Sequence, residues 1–345
     1  MRLIRGLPHL KPLKSGCVLT IGNFDGLHLG HRAVIAKLAE RGAALSLPVV
    51  VMTFEPQPLE YFLGENAPSR LMCLREKVLA FSKLPVDDLL ILRFNQNFAD
   101  CDAERFIEDI LVKKLNVKHL VVGDDFHFGK TRRGNFAMLK EKGKLFDFEV
   151  EDTGSFQVTG LRVSSTLIRD ALGDGDLALA EKMLGCCYSV CGRVAHGDKR
   201  GRTIGYPTAN IQMFRKNTPV NGVFAVTMTG IDGSEFEGVA NVGTRPTFDG
   251  GSKVILEAHL FDFNREIYGR YVEVHFKQKI RDEMRFQSLD ELKVQIIKDV
   301  AKAKAALCSL RNCSIHTLPV GDRRAGSLPA SGIHTIPGDK DFCRD

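Results

Sequence analysis

The ten residues Gly22-Asn23-Phe24-Asp25-Gly26-Leu27-His28-Leu29-Gly30-His31 constrain this chain more than any others. The apolar run Cys17 to Ile21 leads into them, and an amphipathic run with Val34, Ile35, Leu38 and Ala39 on one side leads out. That pattern predicts a strand, a glycine-rich turn and a helix. Three glycines let the backbone pass close to a ligand, and the helix start offers unpaired N–H groups and a positive dipole end to an anion. The expected guest is a phosphate. A lone histidine at a helix start reads as a solvent or core residue. His28 and His31 together, inside such a turn, instead supply two imidazoles that can donate to one phosphate chain.

Strand and helix patterns then alternate. Val49 to Phe54 reads as a strand buried on both faces, ended by Glu55-Pro56-Gln57-Pro58. Leu74 to Leu84 has helical spacing and Leu89 to Phe94 is a further strand. Asp102 is placed to cap a helix carrying Phe106, Ile107, Ile110, Leu111 and Leu115, and His119 to Gly123 is again strand. Repeated β-α units imply an α/β domain with a doubly wound parallel sheet, which binds ligands beyond the carboxyl ends of its strands. Arg162-Val163-Ser164-Ser165-Thr166-Leu167-Ile168-Arg169 sets hydroxyls at a helix start with an arginine one turn on, either a second anion site or a capped surface helix. Asp176 opens a helix that Gly185 ends.

Near Cys187 the texture changes. Alternating segments at Tyr188 to Val194, Val223 to Met228, Val254 to Phe261 and Tyr271 to Phe276 follow, with turn signals such as Asp232-Gly233 between them. Ser288 and Glu291 then form a capping box ahead of a stripe through Leu292, Ile296 and Val300. A β-barrel or sandwich with a C-terminal helix results. For a chain of 345 residues two domains are expected. We divide it at 1–186 and 187–310, leaving 311–345 as an aperiodic, disordered tail.

Composition narrows the function. With 44% hydrophobic and 26% charged residues and no apolar stretch near bilayer length, no membrane role is expected. The N-terminus has no secretory core, and nine irregularly spread cysteines suit reduced thiols, so a cytoplasmic location is expected. Cys186, Cys187, Cys191 and His196 resemble metal ligands, but no second Cys-x-x-Cys pair accompanies them. The net charge of +6 comes from interleaved rather than clustered cations, which fits nucleotides better than nucleic acid.

No Gly-Lys-Ser/Thr phosphate loop of the Walker type occurs, and the His-x-x-His turn takes its place. A phosphate monoester is already largely ionised near neutrality, its second pKa being about 6, so as a nucleophile it needs no general base. Histidines, a helix dipole and a distal arginine then suffice for adenylyl transfer with loss of pyrophosphate. In the second domain the stretch Gly192 to Asn210 carries glycines and cations able to wrap a phosphate chain, with Thr208 and Asn210 offering neutral oxygens to a hard cation. Glu257 lies in an alternating strand, and by spacing alone reads as solvent-facing. An alcohol nucleophile there would need such a carboxylate as base.

Seven stretches in this order resemble one family. They are the Gly22 to His31 turn, Thr53-Phe54-Glu55-Pro56, Val122 to Gly129, Ser164 to Arg169, Pro207-Thr208-Ala209-Asn210, Asn241 to Thr247 and the Glu257 strand. Residues 1 to about 310 look like a bacterial bifunctional riboflavin kinase/FMN adenylyltransferase. The resemblance implies a nucleotidylyltransferase-like Rossmann domain that makes FAD from FMN, and a small riboflavin-kinase barrel that makes FMN from riboflavin, each with Mg-ATP. It implies catalytic roles for His28, His31, Arg169 and Glu257. ATP contacts fall to Gly22, Asn23, Phe24, Asp25, Gly26, Gly30, Ser165, Thr166, Gly201, Gly205, Thr208 and Asn210. Thr208 and Asn210 would hold Mg2+ with the ATP phosphates, and Asp125, Phe126 and Arg285 would contact flavin. The implied ligands are ATP, riboflavin, FMN and FAD, with no nucleic acid. The alternatives are adenylylation of another phosphorylated acceptor, such as a pantetheine phosphate, or non-enzymatic nucleotide or RNA binding. RNA binding calls for basic-aromatic clusters, which the sequence lacks.

Overall fold

The computed structural model describes residues 1–123, 125–154, 156–197, 205–215, 217–246 and 252–315. Gly201 and the tail from residue 316 lie outside them. Two compact units emerge, Met1–Pro68 with Leu74–Ser165, and Ser69–Cys73 with the chain from Thr166 on. Helix Leu177–Leu184 and all of helix Ser165–Asp174 after its first residue therefore group with the second unit.

The first unit holds strands β1 (Arg2–Arg5), β2 (Cys17–Ile21), β3 (Val49–Glu55), β4 (Asp88–Arg93), β5 (Val117–Val122) and β6 (Glu149–Asp152). They pair in parallel in the order β1-β4-β3-β2-β5-β6. Alternate residues of the buried strands serve opposite faces. Val18, Val49 and Val121 pack with Leu38 of helix Leu29–Leu45, while Leu19, Val50 and Leu120 enter a larger core with Phe106, Ile107 and Leu139. Runs of valine, isoleucine and leucine are what a sheet covered on both faces requires. The chain runs outward from β2 to β3 and β4, then returns to β5 on the other side of β2. This reversal makes the carboxyl end of β2 the switch point where such sheets bind ligands, and the Gly22 turn stands there.

A short hairpin, β7 (Gln157–Val158) and β8 (Leu161–Arg162), follows the sheet. In the second unit, β9 (Ser189–Ala195), β10 (Ala209–Gln212), β11 (Gly222–Thr229), β12 (Phe236–Pro246), β13 (Ser252–Leu260) and β14 (Tyr271–Arg281) close an antiparallel barrel in the order β10-β13-β12-β11-β14-β9. Phe224 and Phe276 meet edge to face inside it at 5.2 Å, with Val226, Leu256 and Val274 also buried. Helix Leu289–Ile315 lays Ala303, Ala306 and Leu307 against Val223, Ala225 and Val239. Its buried Asp299 accepts two Arg281 nitrogens at 2.8 and 3.0 Å, fixing the helix to β14. Half of the expected capping box is present: Ser288 Oγ accepts from the Glu291 amide at 3.2 Å, while the Glu291 carboxylate accepts from the Gln287 amide, one residue earlier, at 3.1 Å. The helix continues through Ile315, past the expected limit near Leu310, because nothing in Arg311 to Ile315 breaks it.

Candidate active sites

In the first turn, the backbone reverses through left-handed conformations at Phe24 (φ 47°), Gly26 (φ 83°) and Leu27 (φ 41°). Two non-glycine residues in this region mark local strain held by surrounding packing. Phe24 is anchored edge-on by Phe81 at 5.5 Å, and Leu27 is buried. His28 caps the following helix, its Nδ1 accepting the His31 amide at 3.3 Å. That bond places the proton of the neutral ring on Nε2, leaving a donor for a ligand. The His28 and His31 rings stack at 3.6 Å and 14°. His31 Nδ1 is covered and has no partner among the described residues. Asp25 is buried, and its carbonyl accepts from Ser165 Oγ at 2.9 Å.

Electrostatics follow from burial. Desolvation pushes His28 down to about 4, opposed by the neighbouring Asp25 carboxylate. His31 lies well below the usual imidazole value through burial first, then through His28 and Lys77. Both rings are therefore neutral hydrogen-bond donors near pH 7. The unfolded chain protonates its histidines below about pH 6.5 while the folded turn does not, so this group costs stability as pH falls toward 4. Between pH 7 and pH 5 His28 alone accounts for about 2 kcal/mol of that loss. His28→Asn, which keeps a helix cap, should reduce the shift in urea midpoint between these pH values; an unchanged shift contradicts the neutral assignment.

The other residues expected to serve adenylyl transfer fare unequally. Ser165 reaches the turn, as described, whereas Thr166 is exposed. Arg169, in the second unit, donates from Nε to the Ser69 carbonyl at 2.6 Å. Asp125 is exposed, and Phe126 is partly buried, stacked on Phe128 at 5.5 Å. Sequence reading missed an aromatic cluster beyond β3 and β4, where Tyr61, Phe62 and Phe94 meet with centroids 5.2 to 5.6 Å apart. Phe62 is 63% exposed, an unusual position for so apolar a ring. A Tyr-Phe pair just after Glu55-Pro56-Gln57-Pro58 was the available signal.

In the barrel, the register brings distant residues onto one rung. Asn210 of β10 pairs with Glu257 of β13, and Glu257 pairs with Asn241 of β12. Their neighbours Ile211, Leu256, Ala258, Ala240 and Val242 point into the core, so these three half-buried residues share the outer face. Asn241 opens one of the stretches that carry the family resemblance but was given no role of its own; cross-strand register is what sets it beside Glu257. The Asn210 amide lies against the backbone of Gly197, where a Cβ would collide with it. His259, also outward, donates from Nδ1 to the Pro207 carbonyl at 2.9 Å and so steadies the approach to Thr208. Thr208 is half-buried, while Gly205 (φ 84°) and Arg285 are exposed. No group of three or more His, Cys, Asp or Glu residues suited to a metal occurs among the described residues, Cys186, Cys187 and Cys191 included. Cys187 instead donates to the Phe276 carbonyl.

A parallel sheet with a His-x-x-His turn at its switch point, joined to a closed barrel with an Asn-Glu-Asn rung, defines a two-domain nucleotide-dependent transferase. The family model for FAD synthetase matches residues 10–167 and that for riboflavin kinase matches 184–307. The chain belongs to the bifunctional riboflavin kinase/FMN adenylyltransferase family. Its relative of that name from Haemophilus influenzae is 53% identical over 305 residues, covering 88% of this chain and 99% of the relative. The Escherichia coli K12 relative is 50% identical over the same length, covering 97% of that protein. A solved Streptococcus pneumoniae structure titled as a macrolide-efflux protein is 33% identical, with a TM-score of 0.73, covering 87% of this chain and 97% of that one. No described helix is long and apolar enough to cross a membrane. Riboflavin kinase and FMN adenylyltransferase activities thus reside in one chain, in the order adenylyltransferase then kinase.

Proposed function

We propose that the two activities use the two sites described above, the observation that carries this being the stacked, buried His28–His31 pair at the switch point. ATP binds with its phosphates against Gly22, Asn23, Phe24, Asp25, Gly26 and Gly30. An FMN phosphate oxygen attacks the α-phosphorus, forming the new P–O bond as the bond to pyrophosphate breaks. His28 and His31 donate to the charge that develops, and neutral donors in a dry site stabilise it without reorganising. Ser165, Thr166 and Arg169 belong to the second phosphate-binding helix. For the flavin ring we add Phe62 to Asp125 and Phe126, since its exposed face can stack on an isoalloxazine. Phe62→Ala should raise KM for FMN about tenfold with KM for ATP unchanged, as expected for about 1.4 kcal/mol of lost stacking. An unmoved KM for FMN removes Phe62 from the site.

In the barrel, Glu257 accepts the proton of the riboflavin primary hydroxyl as it attacks the γ-phosphorus of ATP and ADP leaves. Gly201, Gly205 and Arg285 are assigned to substrate binding by resemblance alone. Families that transfer phosphoryl and adenylyl groups from ATP to flavins generally need a divalent metal. Thr208 and Asn210 offer one hydroxyl and one amide oxygen, a hard, neutral set suited to Mg2+ that takes its remaining ligands from phosphates and water. When bound, it neutralises phosphate charge. The residues of the chain orient the hydroxyl, accept its proton and exclude water. EDTA should stop both activities and Mg2+ should restore them, followed by separating riboflavin, FMN and FAD; activity persisting in EDTA contradicts the metal. The irregular spread of nine cysteines, which suits reduced thiols, supports a cytoplasmic location.

A further inference from the structure

Lys77 is fully buried, at 0% exposure, on helix Leu74–Phe81. Burying an ammonium is costly unless it is paired and hydrogen-bonded, so its partners show what it holds in place. Its Nζ donates to the Asn23 carbonyl at 2.7 Å, and Thr53 Oγ1 donates to the same oxygen at 3.3 Å. Both lone pairs of one turn carbonyl are thereby engaged on the protein side. A trans peptide is planar, so the carbonyl of Asn23 and the amide of Phe24 point in opposite directions. Fixing the carbonyl inward turns the Phe24 N–H outward, where the left-handed residue at 24 begins an anion-binding concavity. The same helix also sends Phe81 against Phe24, which in turn meets His31 at 5.1 Å.

We propose that Lys77 is a positioning residue of the adenylyl-transfer site, holding the Asn23 carbonyl so that the turn presents N–H groups to the ATP triphosphate, and bringing a positive charge close to His31. The proposal rests on the reading that this turn holds ATP. Its charge acts in the direction the site needs. It helps keep His31 unprotonated, after burial and His28, and it attracts the phosphate chain without a proton being taken up. Lysine at this position reads in sequence as the polar side of an amphipathic helix, which is why it escaped notice.

The test compares Lys77→Met, Lys77→Arg, Thr53→Val and His28→Asn with wild type in full-length chain. Pyrophosphate release from ATP and FMN is measured, and folding is checked by thermal unfolding. Removing a group that binds phosphate equally in ground and transition states raises KM rather than lowering kcat. Lys77→Met should raise KM for ATP at least about tenfold and leave KM for FMN within about threefold. Lys77→Arg, keeping the charge, should recover most of this. Simple loss of folded enzyme instead lowers kcat with both KM values unchanged, and that result overturns the proposal. Where Lys77→Met does not fold, Thr53→Val decides: a raised KM for ATP alone supports a fixed Asn23 carbonyl, and wild-type values overturn it. Wild-type turnover in His28→Asn removes the ATP site from this turn and the proposal with it. A slow His28→Asn beside a wild-type Lys77→Met removes only Lys77.

Discussion

With FMN and ATP as substrates, His28→Asn is expected to turn over about 10²- to 10³-fold more slowly than wild type, the effect of removing one preorganised donor from a site of developing negative charge. Asparagine is the informative replacement because His28 does two jobs. Its Nδ1 caps helix Leu29–Leu45 through the His31 amide, and its Nε2–H faces away from that bond. Alanine would remove both, adding a capping loss of about 1 kcal/mol to the catalytic one. Asparagine restores the cap and leaves the catalytic donor missing. Riboflavin phosphorylation by the same variant should remain at the wild-type rate, because the barrel closes on its own strands. A wild-type rate of pyrophosphate release removes His28 from the chemistry.

Glu257→Gln should give the opposite pattern, slowing riboflavin phosphorylation about 10²- to 10⁴-fold, the range for loss of a general base. Glutamine preserves volume and hydrogen-bonding reach on the rung shared with Asn210 and Asn241 but cannot accept the hydroxyl proton. Supplied FMN should still become FAD at the wild-type rate. Raising pH should not rescue phosphorylation, since a primary alcohol stays protonated through the accessible range. A loss of less than about threefold is too small for a general base and returns Glu257 to the exposed strand position that its spacing alone suggests.

Much of the first site was legible. An apolar run, three glycines and an amphipathic run locate a strand, a turn and a helix without any knowledge of neighbours, and Cys17–Ile21 and Leu29–Leu45 occupy those places. The stacking of His28 on His31 was not legible, because i and i+3 spacing leaves ring orientation open until Phe24 and Leu27 adopt left-handed backbone. Lys77 was hidden by its residue type, and Phe62 by lying in a six-residue helix. In the barrel, four strands were legible, and Thr208, Asn210 and Glu257 were legible as residue types suited to Mg-ATP and to a general base, but not as neighbours. Asn210, Glu257 and Asn241 meet only through register, a property of pairings between segments far apart in sequence. β12 escaped because Gly238, Gly243 and Pro246 read as turn residues, although a closed barrel accommodates glycine where a neighbouring strand comes close, as the His259 carbonyl of β13 does at Gly238. β1 and β10, four residues each, are too short to show alternation.

Two chemically separate sites in one chain let the barrel make the FMN that the sheet domain consumes. Mixing equal amounts of His28→Asn and Glu257→Gln chains with riboflavin and Mg-ATP, then resolving the flavins over time, tests that separation. Separate sites predict that neither variant alone makes FAD from riboflavin at an appreciable rate, while the mixture accumulates FMN and then FAD. A mixture that yields no FAD, although one chain phosphorylates riboflavin and the other adenylylates added FMN, contradicts it.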